Sequence, residues 1–73
     1  MKKNYVDVCG EISGLEAHAV LAKLHVSGIS NVVEEETKEG YKIKVYEGTG
    51  FKAEYLLEKI LSLGFTNATI VAE

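Results

Sequence analysis

YVDVCGEISGLEAHAVLAKLHVSGISN, residues Tyr5 to Asn31, returns 36 positions later as YKIKVYEGTGFKAEYLLEKILSLGFTN, residues Tyr41 to Asn67. The two stretches share Tyr5/Tyr41, Glu11/Glu47, Gly14/Gly50, Ala17/Ala53, Leu21/Leu57, Lys23/Lys59, Gly28/Gly64 and Asn31/Asn67. Mild exchanges join them, among them Ser13/Thr49, Val20/Leu56, Leu24/Ile60 and Ile29/Phe65. A self-match at a fixed period marks one structural unit used more than once. Two copies are too few to stack as a solenoid, so the halves must bury each other.

Each unit reads as strand, helix, strand. Tyr5 to Cys9 alternates, with β-branched Val6 and Val8, and predicts a strand. Ser13-Gly14-Leu15-Glu16 has the S-x-x-E form of a capping box, which starts a helix near Gly14. Ala17, Val20, Leu21 and Leu24 follow at helical spacing, and Gly28 sits where a left-handed cap ends a helix. Asn31 to Thr37 predicts a second strand. Lys38-Glu39-Gly40 then turns the chain into Tyr41–Tyr46, which alternates Tyr41, Ile43 and Val45 against Lys42, Lys44 and Tyr46. Thr49 is expected to repeat the capping role of Ser13, and Ala53, Leu56, Leu57 and Ile60 repeat the stripe before Gly64. Ala68 to Ala72 closes the series as a fourth strand.

The order β-α-β-β-α-β has a preferred solution. Each β-α-β crossover is right-handed, which lands both helices on one face of a four-stranded antiparallel sheet. The fold class is therefore α+β, ferredoxin-like, in a single domain over residues 1–73. Val6, Val8, Ile43 and Val45 face the helices, with Ala17, Leu21, Leu24, Ala53, Leu57 and Ile60 packed on them. Tyr5, Asp7, Cys9, Lys42, Lys44 and Tyr46 face outward. These strand faces break the repeat register by one residue, which requires one residue fewer between the third strand and the second helix. Val32-Val33 and Ile70-Val71 offer one apolar residue to each face, and alternation alone does not assign them.

Composition narrows the function. Eight lysine and arginine residues against eleven acidic ones give a net charge of −3, the opposite of a nucleic-acid-binding face. One cysteine excludes an internal disulfide. No run approaches the roughly 20 apolar residues of a membrane span. Met1-Lys2-Lys3-Asn4-Tyr5 is not followed by the apolar run of a secretory signal.

Catalytic and cofactor motifs do not appear. There is no phosphate-cradling glycine loop and no nucleophile elbow, so no catalytic residue, metal or cofactor is expected. His18 and His25 lie two turns apart on one helix, too few for a metal without a third ligand. Cys9 has no assigned base, and Glu34-Glu35-Glu36 reads as a solvated strand edge. The outward face holds the better candidates. Tyr5 and Tyr46 add flat aromatic area, while Asp7, Lys42 and Lys44 add polar groups that suit hydroxyls and carboxylates.

The chain resembles the SPOR (sporulation-related repeat) domains, peptidoglycan-binding modules of about this length and element order. Their first strand reads roughly V-Q-V-G-S-F, matched here by Val6-Asp7-Val8-Cys9-Gly10-Glu11. Their third reads Y-R-V-R-V-G, matched by Tyr41-Lys42-Ile43-Lys44-Val45-Tyr46. Their alanine-to-glycine helix pattern is matched by Ala17 to Gly28 and again by Ala53 to Gly64. The resemblance implies a non-catalytic module that binds bacterial cell-wall glycan or a wall polymer through Tyr5, Asp7, Lys42, Lys44 and Tyr46. The acidic balance and the absence of a visible signal peptide would suit the wall-binding C-terminal module of a phage or bacterial wall hydrolase (an endolysin), with catalysis in a separate domain.

Two other classes share the element order. Metal-carrying domains place G-M-T-C-x-x-C in the first loop, where this chain has Gly10-Glu11-Ile12-Ser13-Gly14-Leu15-Glu16. Regulatory amino-acid-binding domains of the ACT type bind at helix–strand loops between paired domains; a free amino acid would raise their melting temperature. The uncovered sheet face and the exposed strand edges also lead to an expectation of a weak homodimer, on that face or by edge pairing.

Overall fold

The computed structural model describes residues 4–72. Its elements are β1 (Asn4–Asp7), α1 (Gly14–Val26), β2 (Val32–Glu36), β3 (Tyr41–Tyr46), α2 (Ala53–Ser62) and β4 (Thr69–Ala72). The strands form one antiparallel sheet in the order β2-β3-β1-β4. α1 packs over β3, and α2 over β1 and β4. This is the ferredoxin-like α+β arrangement that the repeat predicts.

The ends of α1 follow its sequence. Ser13 Oγ accepts the Glu16 N–H at 3.2 Å, and Glu16 Oε1 accepts the Ser13 N–H at 3.4 Å. Such a cap is worth about 1 kcal/mol. At the other end Gly28 adopts φ 79°, which lets its N–H reach the His25 carbonyl at 3.0 Å and the Ile29 N–H reach that of Leu24 at 3.1 Å. Ile29 is buried beside Leu24 and completes this stop.

The second helix starts differently. Thr49 does not repeat the cap of Ser13. Gly48 and Phe51 exchange backbone hydrogen bonds of 3.1 and 3.0 Å, and this tight turn holds the residues that would have formed a first helical turn. α2 begins only at Ala53, whose N–H is accepted by Glu47 Oε2 at 2.7 Å. A carboxylate there also meets the positive end of the helix dipole.

The core is a single cluster. Val6, Val8, Ala17, Leu24, Ile43, Val45, Ala53 and Ile60 are fully buried, and Leu56 is 4% exposed. Leu21 and Leu57, expected in the core, are only half-buried at its margin. Alanine at 17 and 53 seats each helix close to the sheet, and two helices on so short a chain leave their flanks partly open. Val6 and Val8 match Ile43 and Val45 at an interval of 37, whereas Ala17 and Leu24 match Ala53 and Ile60 at 36. The interval from the last buried strand residue to the first buried helix residue is thus one shorter in the second unit, Val45 to Ala53, than in the first, Val8 to Ala17, as the strand faces require.

Strand pairing assigns the two ambiguous apolar pairs. Val32 lies opposite Val45 and Ile70 opposite Val6, on the helix side. Val33 lies opposite Lys44 and Val71 opposite Tyr5, on the open side.

Candidate functional site

The open face is built in rows across the sheet, because antiparallel partners share a face. One row runs Val33, Lys44, Asp7, Thr69; the next runs Tyr46, Tyr5, Val71. Lys42 and Glu35 form the start of a third. Four of the five candidate residues therefore come from the two central strands as adjacent pairs: Tyr5 with Tyr46, and Asp7 with Lys44.

Three of them interlock. The Tyr5 and Tyr46 rings lie 5.1 Å apart, tilted by 40°. Lys44 Nζ sits 4.9 Å from the centre of the Tyr5 ring and 3.0 Å from Glu35 Oε1. The hydrogen bond to Glu35 raises the Lys44 ammonium above its ordinary range; burial, the next largest effect, opposes it, and charge interactions with Tyr5, Glu35 and Tyr46 add smaller increments. The Lys44 side chain is only 15% exposed. Its charge is fixed over an aromatic surface, an arrangement worth about 0.5–1 kcal/mol or more as it is desolvated.

The other two stand apart. Asp7 Oδ1 accepts the Gly10 N–H at 2.9 Å, so one of its oxygens is committed to the turn after β1. Lys42 is half-exposed and opposite Glu35, two rows away from the tyrosines with the Lys44–Asp7 row between.

Cys9 does not belong to this face. β1 ends at Asp7, and the bend at Cys9–Gly10 breaks the alternation, so Cys9 packs half-buried against the core. Burial, then the charges of Asp7 and Glu16, push its thiol above its ordinary pKa. A protonated thiol is a poor nucleophile. Cys9 should therefore alkylate with iodoacetamide more slowly than free cysteine at pH 8, and Asp7→Asn should speed the reaction, since it removes one charge while keeping the bond to Gly10. Equal rates for free cysteine and for the protein would contradict this environment.

Glu35 is the site member that the sequence did not single out. The run Glu34-Glu35-Glu36 reads as a solvated acidic edge, and all three are indeed exposed. The signal lies in the hairpin: with Thr37 and Gly40 closing the turn, Glu35 falls opposite Lys42 and diagonal to Lys44. Val33 and Val71 were available as members of ambiguous pairs, and only the register places them.

Beside this face, Ser30, Asn31, Tyr46, Phe51 and Tyr55 line a cleft of about 20 Å³ between the α1–β2 loop and the start of α2. That is room for about one water, not for an amino acid. Among the described residues, no three His, Cys, Asp or Glu side chains converge as metal ligands, and no helix is long and apolar enough to cross a membrane. The open face thus offers two adjacent aromatic rings, an anchored ammonium and a second, freer one, which together can stack on a flat apolar ring and hydrogen-bond its substituents. Comparison with known proteins returns no match of any kind: no family model, no curated protein and no solved structure matches this chain.

Proposed function

We propose that the domain is a non-catalytic module that attaches a wall-lytic enzyme to the bacterial cell wall, with Tyr5, Asp7, Lys42, Lys44 and Tyr46 forming the contact face. The observation that carries this reading is the Tyr5–Tyr46 pair with Lys44 held over it by Glu35, on a sheet face that neither helix covers. Sugar rings present flat apolar faces that stack on aromatic side chains, and wall polymers carry the carboxylates and hydroxyls that lysines bind. The SPOR-like strand motifs Val6-Asp7-Val8 and Tyr41-Lys42-Ile43-Lys44-Val45 support the same ligand class. On this reading Lys44 orients the aromatic surface, and Lys42 is the more available cation.

The test is co-sedimentation of the purified domain with intact bacterial cell walls and with walls stripped of secondary polymers. Lys42→Gln removes the available charge, and Tyr5→Leu removes one ring while keeping apolar bulk against the Lys44 stem. Each should reduce wall-bound protein several-fold; the Lys42 variant should melt within a few degrees of the parent, since exposed charges contribute little to stability, while Tyr5→Leu, which also loses the ring pair and the Lys44 contact, should melt lower yet remain folded. Undiminished sedimentation of both folded variants would remove this face as the site. A melting temperature raised by free amino acids, without wall binding, would favour the ACT-type alternative.

A further inference from the structure

The two helices differ on their outer sides. Opposite the buried Ala17 and Leu24, α1 shows solvent a stripe of Leu15, Ala19, Ala22 and Val26, all exposed, with Leu15 at 88% and Val26 at 85%. The positions 36 residues later are Phe51, in the turn before α2, and Tyr55, Glu58 and Ser62 within it, so there the stripe is broken by a charge and a hydroxyl. A water-facing helix side is ordinarily polar. Here polar groups stand only on the flanks: Glu16 and Lys23 on one, His18 and His25 on the other.

We infer that this face of α1 packs against α1 of a second copy of the chain, antiparallel, across a two-fold axis between Ala19 and Ala22. Two features select a second copy. First, the stripe is spaced four, three, four, and so reads the same in both directions. Antiparallel overlay sets Leu15 against Val26 of the partner subunit and Ala19 against Ala22 of the partner subunit, with small residues at the centre where the backbones come closest. Second, the flanks are self-complementary in charge. A two-fold axis perpendicular to both helices faces each flank with its own copy. At a 1.5 Å rise per residue, Glu16 then stands within about 3 Å, along the axis, of Lys23 of the partner subunit, and this pairing occurs twice. A parallel pair would instead set the Lys23 flank against histidines and align the helix dipoles unfavourably.

Both charged groups have the freedom this requires. The bonds to Ser13 use Oε1 of Glu16, and Lys23 Nζ lies 5.4 Å from the centre of the Phe65 ring. The interface is small. A 13-residue helix is about 20 Å long, and its face covers well under the roughly 800 Å² per partner of a stable complex, so the dimer is weak. It lies on the side of the sheet opposite Tyr5 and Tyr46 and leaves both open faces outward.

Sedimentation equilibrium from micromolar to millimolar concentration tests the pairing. The average mass should rise from 8.0 kDa towards twice that value. Ala22→Glu, at an exposed position, should weaken association at least tenfold without lowering the melting temperature. Oxidative cross-linking in a Cys9→Ser background tests the direction. Leu15→Cys mixed with Val26→Cys should form an inter-chain disulfide. Leu15→Cys alone should not, because the antiparallel register separates its two copies by about 16 Å. A mass fixed at 8.0 kDa throughout, a dimer indifferent to Ala22→Glu, or efficient cross-linking of Leu15→Cys with itself would each overturn the proposal. None of these outcomes depends on wall binding.

Discussion

Ile60→Ala and Leu24→Ala should each lower the stability of the domain by about 2–5 kcal/mol. Both side chains are fully buried, and both are the largest residue that their helix contributes to the sheet. Truncation removes the transfer energy of the lost methyl groups and leaves a cavity that a rigid sheet cannot close. The effect is large relative to the whole: a domain of 73 residues has a total stability of only about 4–11 kcal/mol. Each lost kcal/mol should lower the melting temperature by about 4–8 °C at this size. Leu57→Ala is the internal comparison. That leucine is half-buried at the edge of the cluster, so its loss should cost less than that of Ile60. Urea titration measures all three. An Ile60→Ala midpoint equal to the parent's, or a larger loss for Leu57→Ala, would show that the core is wrongly placed.

The second large effect is expected at a residue with no side chain at all. A Cβ on Gly40 would collide with the backbone carbonyl of Ile12 and lie 3.1 Å from its carbonyl carbon. That oxygen accepts the Tyr41 N–H at 2.8 Å, and the Ile12 N–H donates to the Tyr41 carbonyl at 2.8 Å. Backbone on both sides cannot swing aside as a side chain does. Gly40→Ala must therefore part this bridge, losing two hydrogen bonds worth about 0.5–1.5 kcal/mol each and disturbing Ile12 and Tyr41 where they pack on the core. A total of about 2–4 kcal/mol is expected. Gly28→Ala is the contrast: nothing lies within 4 Å of its added carbon, and its cost is the left-handed backbone alone, about 1–2 kcal/mol. If Gly40→Ala proved the milder of the two by thermal melting, the close approach of the two loops would be disproved.

Much of this was legible in the residues. The repeat gave two equivalent units, Ser13 with Glu16 marked the first helix start, and period-2 alternation put Tyr5, Asp7, Lys42, Lys44 and Tyr46 on one face. What alternation cannot supply is which strands are neighbours. The contact of Tyr5 with Tyr46 exists because β1 and β3 are adjacent at the centre of the sheet, a property of topology and not of either strand. The same holds for Glu35, whose partner Lys44 is set by hairpin register.

Two of the misreadings share one cause, local hydrogen bonds that override a periodic pattern. Cys9 was carried onto the open face by extending the alternation of Val6 and Val8 past the bond between Asp7 and Gly10, where the strand has already ended. Thr49 inherited a cap from Ser13 although the Gly48–Phe51 turn intervenes. In the helices, the identical pair Leu21 and Leu57 drew more weight than Leu56, yet burial is decided by the angle at which each helix meets the sheet.

The adjacency of β1 and β4 has a practical outcome. Asn4 lies directly opposite Ala72, so the backbone enters and leaves the sheet at one corner, with the two Cα atoms about 5 Å apart. A short glycine linker there, with new termini opened at Lys38–Glu39 in the exposed hairpin, would give a circular permutant with every strand pairing intact. For the same reason the domain suits insertion into a surface loop of a host protein, because its two ends occupy scarcely more width than the two ends of the loop they replace.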